Sequence, residues 1–310
     1  MTPWKESDIP DLSGRIALVT GANSGIGFDA ARALAQHGAH VVMACRTRAK
    51  AEAAHDTIVA LRPSGSISIL DLDLTDLDSV RRAAKTFLTD HPRLDLLINN
   101  AGVMAVPKQK TVDGFEMQFG TNHLGHFALT ADLMTALLAT PRSRVVNVSS
   151  LAHQGGFMNF DDLQSEKRYS PWLAYGRSKI ANLMFTYELQ RRLRETETTT
   201  IATAAHPGGS NTNLAHDVSG IGGVLMRVAE PVVRKVMQSS EMGALPTLRA
   251  AVDSDASGGD YYGPDGFMEQ RGHPVKVKSN KRSHDALKMR QLWDVSCELT
   301  GADWTALSAS

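Results

Sequence analysis

Six short apolar runs alternate with helical patterns over the first two-thirds of the chain, and this alternation restricts the fold more than any other feature. The runs are "RIALVT" (15–20), "AHVVMAC" (39–45), "SISILDLDL" (66–74), "RLDLLINNAG" (93–102), "SRVVNVSS" (143–150) and "TTIATAAHPG" (199–208). Several are continuously apolar, as strands covered on both faces are. Helical patterns fall between them, over 25–37, 47–61, 76–89, 114–139 and 172–194. Such repetition predicts an α/β fold, a doubly wound parallel sheet with right-handed crossovers. The 310 residues suffice for one large domain with a substantial core. No Pro-, Gly- or Ser-rich linker divides them, so 1–310 reads as a single domain with an N-terminal arm (1–13), a C-terminal lid (208–240) and a tail (276–310). The lid segment opens with "GGSNTNLAHDVSGIGG" and turns apolar over 221–237. That stretch suits a cover over an apolar substrate, and equally a packed surface helix or a dimer contact.

Charge and cysteine content remove several function classes. Lys+Arg and Asp+Glu both number 33, so the formal net charge is zero and gives no footprint for nucleic acid or an anionic membrane. The basic run in the tail, "KSNKRSHDALKMRQ", reads as a solvated face. Cys45 and Cys297 are far apart and form no disulfide framework, which points to a reducing, cytoplasmic location. The N-terminal "MTPWKESDIPDLSGR" lacks the apolar core of a signal peptide. No run reaches the roughly 18 apolar residues of a membrane span. Eleven histidines occur without HExxH or CxxC spacing, so no metal site is expected. His123 and His126 are expected to pack or hydrogen-bond beside Asn122. His206 lies next to the expected site, and Cys45 reads as inert core.

Three local patterns carry chemistry. The first run leads directly into "TGANSGIGFDAARALAQHG", which places Gly21, Gly25 and Gly27 between a strand and a helix. Glycine permits the tight turn and close approach of backbone to a pyrophosphate at the positive helix N-terminus. The second run ends in "MACRTRAK", without the acid that would bind ribose hydroxyls. Arg46, and with it Arg48, would instead meet a 2′-phosphate through forked hydrogen bonds, which points to NADP with NAD still open. The third pattern is "YGRSK", with Tyr175 and Lys179 one helical turn apart on the same face. A free phenol titrates near about 10, and a neighbouring cation lowers that value, so the pair reads as a tuned acid/base.

Seven motifs in order resemble those of the short-chain dehydrogenase/reductase family. They are "TGANSGIG", the acid in "LDLDL", "NNAG" at 99–102, the Asn of "TNHLGHF", the Ser of "VNVSS", "YGRSK" and "HPGGSNTNL". The resemblance implies a Rossmann-type fold and hydride transfer between NAD(P) and an alcohol, aldehyde or ketone. It implies catalytic roles for Asn122, Ser150, Tyr175 and Lys179. Tyr175 would be the general acid/base, Lys179 its tuner and a ribose ligand, and Ser150 a holder of the substrate oxygen. Asn122 would orient backbone near the lysine, and Asn99 would brace the central strands. The implied cofactor contacts are Gly21, Asn23, Ser24, Gly25, Ile26, Gly27, Arg46, Asp73, Leu74, Asn100, Ala101, Gly102, Tyr175, Lys179, Pro207, Gly208 and Thr212. The 24 residues between Ser150 and Tyr175, with "NHLGHFALT" and "ACRTRAKAE", resemble retinol-dehydrogenase-like members, which implies an apolar carbonyl substrate. A homodimer or homotetramer is the assembly that the family suggests. Two other readings stand beside this one, a cofactor-binding regulator with little turnover and a nucleotide-sugar epimerase or dehydratase.

Overall fold

The computed structural model describes residues 2–209 and 238–308, so Thr212 and the apolar stretch 221–237 lie outside the described residues. Eight strands form one sheet: β1 (Ile16–Thr20), β2 (His40–Cys45), β3 (Ser66–Asp71), β4 (Leu96–Asn99), β5 (Arg144–Val148), β6 (Ile201–Ala205), β7 (Tyr261–Pro264) and β8 (Pro274–Lys276). Their order is β3-β2-β1-β4-β5-β6-β7-β8. The first seven run parallel, and β8 returns antiparallel on β7. The strand order reverses between β1 and β4, and ligands of such sheets bind beyond the carboxyl ends at this switch point.

Helices cover both faces. On one side lie α1 (Gly25–Gln36), α2 (Arg48–Ala60) and α8 (Ser240–Val252). Alanines of α1, namely Ala30, Ala31, Ala33 and Ala35, are fully buried, so this helix sits close to the sheet. On the other side lie α3 (Leu77–Asp90), α5 (Gly125–Asp132), α6 (Met134–Leu138), α7 (Pro171–Leu193) and α9 (Ala286–Thr300). Local signals set their ends. Asp76 and Asp285 cap α3 and α9 by accepting the amides of Asp78 and Lys288. Pro171 opens α7, and Gly301, at φ +64°, closes α9.

The structure corrects the sequence expectations in two places. The helix expected over 114–139 is not continuous. A short α4 (Met117–Phe119) passes into a π turn at Gly120–Leu124 before α5 and α6. Strands β7 and β8 and helix α8 were not anticipated. The N-terminal arm packs on the body, with Ile9 and Leu12 buried and Glu6 paired to Arg32 at 2.8 Å. The tail packs on the body too. Its first residue closes β8, and α9 buries Leu292 and Trp293 against the body. Of the lid expected over 208–240, Ser240 already belongs to α8.

Candidate active site

The predicted residues collect beyond the carboxyl ends of the strands. Gly21 follows β1 at φ +66°, a conformation that glycine adopts without strain. A side chain on Gly27 would meet the Gly21 carbonyl at 2.4 Å and Asn100 Nδ2 at 2.5 Å, so only glycine lets α1 start this close to the turn. Asn23, Ser24, Gly25 and Ile26 complete the turn. Ser24 occupies the cap position but no side chain caps the helix, which leaves the first-turn N–H groups for an incoming anion. A dinucleotide pyrophosphate fits this glycine-lined cradle.

Arg46 stands exposed just past β2, with no hydrogen bond or ion pair among the described residues. Arg48 is committed elsewhere, to Glu52 at 2.9 Å and Asp71 at 3.6 Å. Past β3, Asp73 Oδ1 accepts from Thr75 N (2.9 Å) and Thr75 Oγ1 (2.8 Å), and Leu74 is buried under the start of α5. After β4, Asn100 donates through Nδ2 to the Thr20 carbonyl (2.8 Å). It therefore supports the cradle from beneath. Ala101 packs beside Gly21, and Gly102 lies between Asn122 and Lys179, where a Cβ would reach Asn122 Oδ1 at 3.0 Å and Lys179 Nζ at 3.5 Å. Asn99 joins Thr130 (3.0 Å) and Asn147 (2.9 Å), bracing β4 to β5 and α5.

The π turn brings in Asn122. Its amide donates to Val103 O and to Ser178 Oγ, both at 2.9 Å, and its Oδ1 accepts from Val103 N at 2.8 Å. Ser178 in turn donates to the Tyr175 carbonyl at 2.8 Å. A π insertion widens a helix locally and is frequent at functional sites. Lys179, on α7, donates to Val148 O at 3.1 Å, and its ammonium lies 5.6 Å from the centre of the Tyr175 ring. Burial lowers the Lys179 pKa to about 8. Tyr175 departs from expectation. Burial raises its phenol above the usual value, and the hydrogen bond with Ser150 opposes that rise only in part. Among the described residues no charge reverses the burial effect, so the phenol holds its proton at neutral pH.

Ser150 follows β5, and its hydroxyl also accepts from Ala152 N at 3.2 Å. Behind it, buried His153 faces the Ser150 carbonyl at 2.7 Å, and Asn280 of the tail donates to the His153 carbonyl at 2.6 Å. After β6, His206 takes the Gly208 amide at Nδ1 (3.2 Å) and meets Glu269 through Nε2 (2.9 Å). Pro207 is held through its carbonyl by Gln238 at 2.7 Å. Cys45 is buried and its thiol is pushed up to about 11. Sequence reasoning missed Ser178, His153 and the exposed Trp172, whose ring meets Tyr175 edge-on at 6.3 Å. The three-residue spacing of Trp172 and Tyr175 on a helix was the available signal.

Residues 15–220 match the family model of the short chain dehydrogenases, about two-thirds of the chain. The chain belongs to this family. Among curated short-chain dehydrogenases, it is 41% identical to retinol dehydrogenase 12 of Mus musculus over 295 residues, covering 94% of this chain and 88% of that protein. It is 39% identical to retinol dehydrogenase 13 of Homo sapiens, covering 94% and 86%. A solved structure of a putative uncharacterized protein from Mycobacterium paratuberculosis superposes with a TM-score of 0.81 at 44% identity, covering 98% of this chain and 99% of the other. The Pseudomonas aeruginosa RhlG/NADP complex superposes at 0.63 with 25% identity, covering 81% and 94%. As a short-chain dehydrogenase of the retinol-dehydrogenase-like type, the protein is a nicotinamide-dependent oxidoreductase acting on CH–OH donors. Among the described residues no helix is long and apolar enough to cross a membrane, and no cluster of His, Cys, Asp or Glu could hold a metal.

Proposed function

We propose that this short-chain dehydrogenase interconverts an apolar aldehyde or ketone and its alcohol with NADP. The observation that carries the reading is the convergence of Ser150, Tyr175, Lys179 and Asn122 beside the glycine cradle. A bound nicotinamide dinucleotide supplies the hydride chemistry. The chain's own groups supply position and the proton. Tyr175, protonated at neutral pH, donates to the carbonyl oxygen in reduction, and Ser150 donates a second hydrogen bond to the same oxygen. Lys179 would hold the ribose hydroxyls of the dinucleotide, and its charge steadies the phenolate that proton loss leaves. Asn122 fixes the backbone at Val103 and, through Ser178, the first turn of α7.

Two further observations support the finer reading. Arg46 has no partner among the described residues and no acid replaces it at the end of β2, as suits a 2′-phosphate. The exposed Trp172 beside Tyr175 offers an apolar wall, and relatives are named retinol dehydrogenases. Asp73 would contact the adenine and Gly208 would line the cofactor site, and a cytoplasmic setting goes with this reading.

The test is a rate screen at 340 nm, with NADPH and NADH in parallel against a panel of aldehydes, ketones and quinones that includes retinal. Oxidation of NADPH by a subset of apolar carbonyls is expected. Preference for NADH, or turnover of polar carbonyls alone, would overturn the cofactor or substrate assignment respectively. Arg46→Asp is expected to move the preference from NADPH toward NADH, because a carboxylate repels the 2′-phosphate.

A further inference from the structure

His126 touches none of the groups assigned above to the substrate, yet it lies between the two turns that frame the site. It is fully enclosed on α5, one helical turn beyond Asn122. Its Nδ1 lies 3.0 Å from the Asn122 carbonyl, and its Nε2 lies 2.9 Å from Thr20 Oγ1. A carbonyl can only accept, so Nδ1 carries the ring proton. Burial holds the ring pKa down at about 4, with Lys179 nearby adding to the effect, so the imidazole is neutral and Nε2 accepts. Thr20 must then donate its hydroxyl proton to Nε2. The same hydroxyl accepts the amides of Asn100 and Ala101, each at 2.9 Å. One donor and two acceptors saturate it, and its alternative acceptor, Ile98 O, is more distant at 3.4 Å.

We propose that His126 is a positioning residue: a tautomer-locked strut that ties the Asn122 turn to Thr20, and through Thr20 to the β4 turn beneath the glycine cradle. One chain of hydrogen bonds then runs from Asn100 and Ala101 through Thr20 and His126 to Asn122, and from Asn122 to Val103 and Ser178 on α7. The strut sets the spacing between cofactor cradle and proton-donating helix. Its geometric part is independent of the functional reading, and its kinetic consequence rests on that reading.

The test compares wild type with His126→Phe, which keeps ring volume but neither polar contact, and His126→Gln, which returns an acceptor toward Thr20. Amide hydrogen exchange of the cofactor-free protein is read at Asn100, Ala101 and Val103. His126→Phe is expected to speed exchange at all three by about tenfold or more, with β5 and β6 amides unchanged. His126→Gln is expected to restore protection at Asn100 and Ala101 but not at Val103. Changes confined to the neighbours of residue 126, or spread evenly over the sheet, would overturn the strut. Where His126→Phe does not fold, the split between Ala101 and Val103 in His126→Gln decides alone. In an active enzyme, His126→Phe is expected to lower kcat on the order of 10²-fold, a larger change than in dinucleotide Kd, because the reacting groups are misplaced as well as the cradle's support loosened. A kcat unchanged in His126→Phe, where the wild type is active, overturns the kinetic role. A wild type inert toward every carbonyl and alcohol overturns the functional reading instead, and the exchange result still decides the strut.

Discussion

Lys179 and Tyr175 are buried side by side, and burial drives their titrations apart, the lysine down to about 8 and the phenol upward. At neutral pH both keep their protons, the pairing that the proposed carbonyl reduction needs. The lysine loses its charge as pH rises through about 8, so kcat/KM for the dinucleotide, which reports free enzyme, should fall along an alkaline limb centred there. Lys179→Arg keeps the charge at all accessible pH values and should remove that limb, whatever its effect on the absolute rate. Initial rates from about pH 6 to 10 check both statements. The opposite direction, alcohol oxidation, needs the phenolate and should therefore gain with pH until the lysine limb intervenes. Tyr175→Phe removes the proton donor without changing the ring, so turnover should drop by about 10²–10⁴-fold while dinucleotide binding, followed by fluorescence, changes little.

At the scale of elements, the site depends on two places where regular structure is broken. One is the glycine turn before α1. Gly27→Ala would set a methyl against the Gly21 carbonyl and Asn100 Nδ2, within 2.4–2.5 Å of both. The turn would have to open, at a cost of about 1–3 kcal/mol, with dinucleotide affinity reduced by about tenfold or more; thermal melting and titration read the two effects. The turn was legible in the sequence because glycines between a strand and a helix have one physical use. The π turn at Gly120–Leu124 was not legible. Phe119 before it and Phe127 after it are eight residues apart, a spacing that an unbroken helix also gives, so a window of periodicity averages over the extra residue. Strand β7, "YYGP", escaped because it is four residues long and ends in turn formers, and α8 because Pro246 lies inside it. The Tyr175 pKa escaped for a different reason: spacing reveals a charged neighbour, whereas the desolvation that opposes it exists only once the helix is packed.

At the scale of the whole molecule, the carboxyl-terminal fifth of the chain supports the site from behind. Trp293 of α9 packs with Phe127, Trp304 and Phe185 at centroid distances of 5.1, 4.4 and 6.0 Å, and the Arg192 guanidinium lies 4.2 Å above its ring. His123, inside the π turn, meets Ser296 of the same helix at 2.9 Å. The turn that carries Asn122 is thus pressed against the sheet by residues more than 170 positions later in sequence. Trp293→Ala should cost about 3–5 kcal/mol in urea unfolding, since the cavity is enclosed by rings and helix backbone that cannot collapse into it. Trp172→Ala supplies the contrast. That side chain is 55% exposed, so its removal should leave the unfolding midpoint nearly unchanged. On the proposed apolar-carbonyl reading its loss should instead raise KM, because the ring beside Tyr175 is gone. A pair of tryptophans that divides in this way, one moving stability and the other moving KM, would separate the support from the pocket. If both substitutions moved stability equally, Trp172 would belong to the packing of α7 and the apolar wall would have to be sought elsewhere.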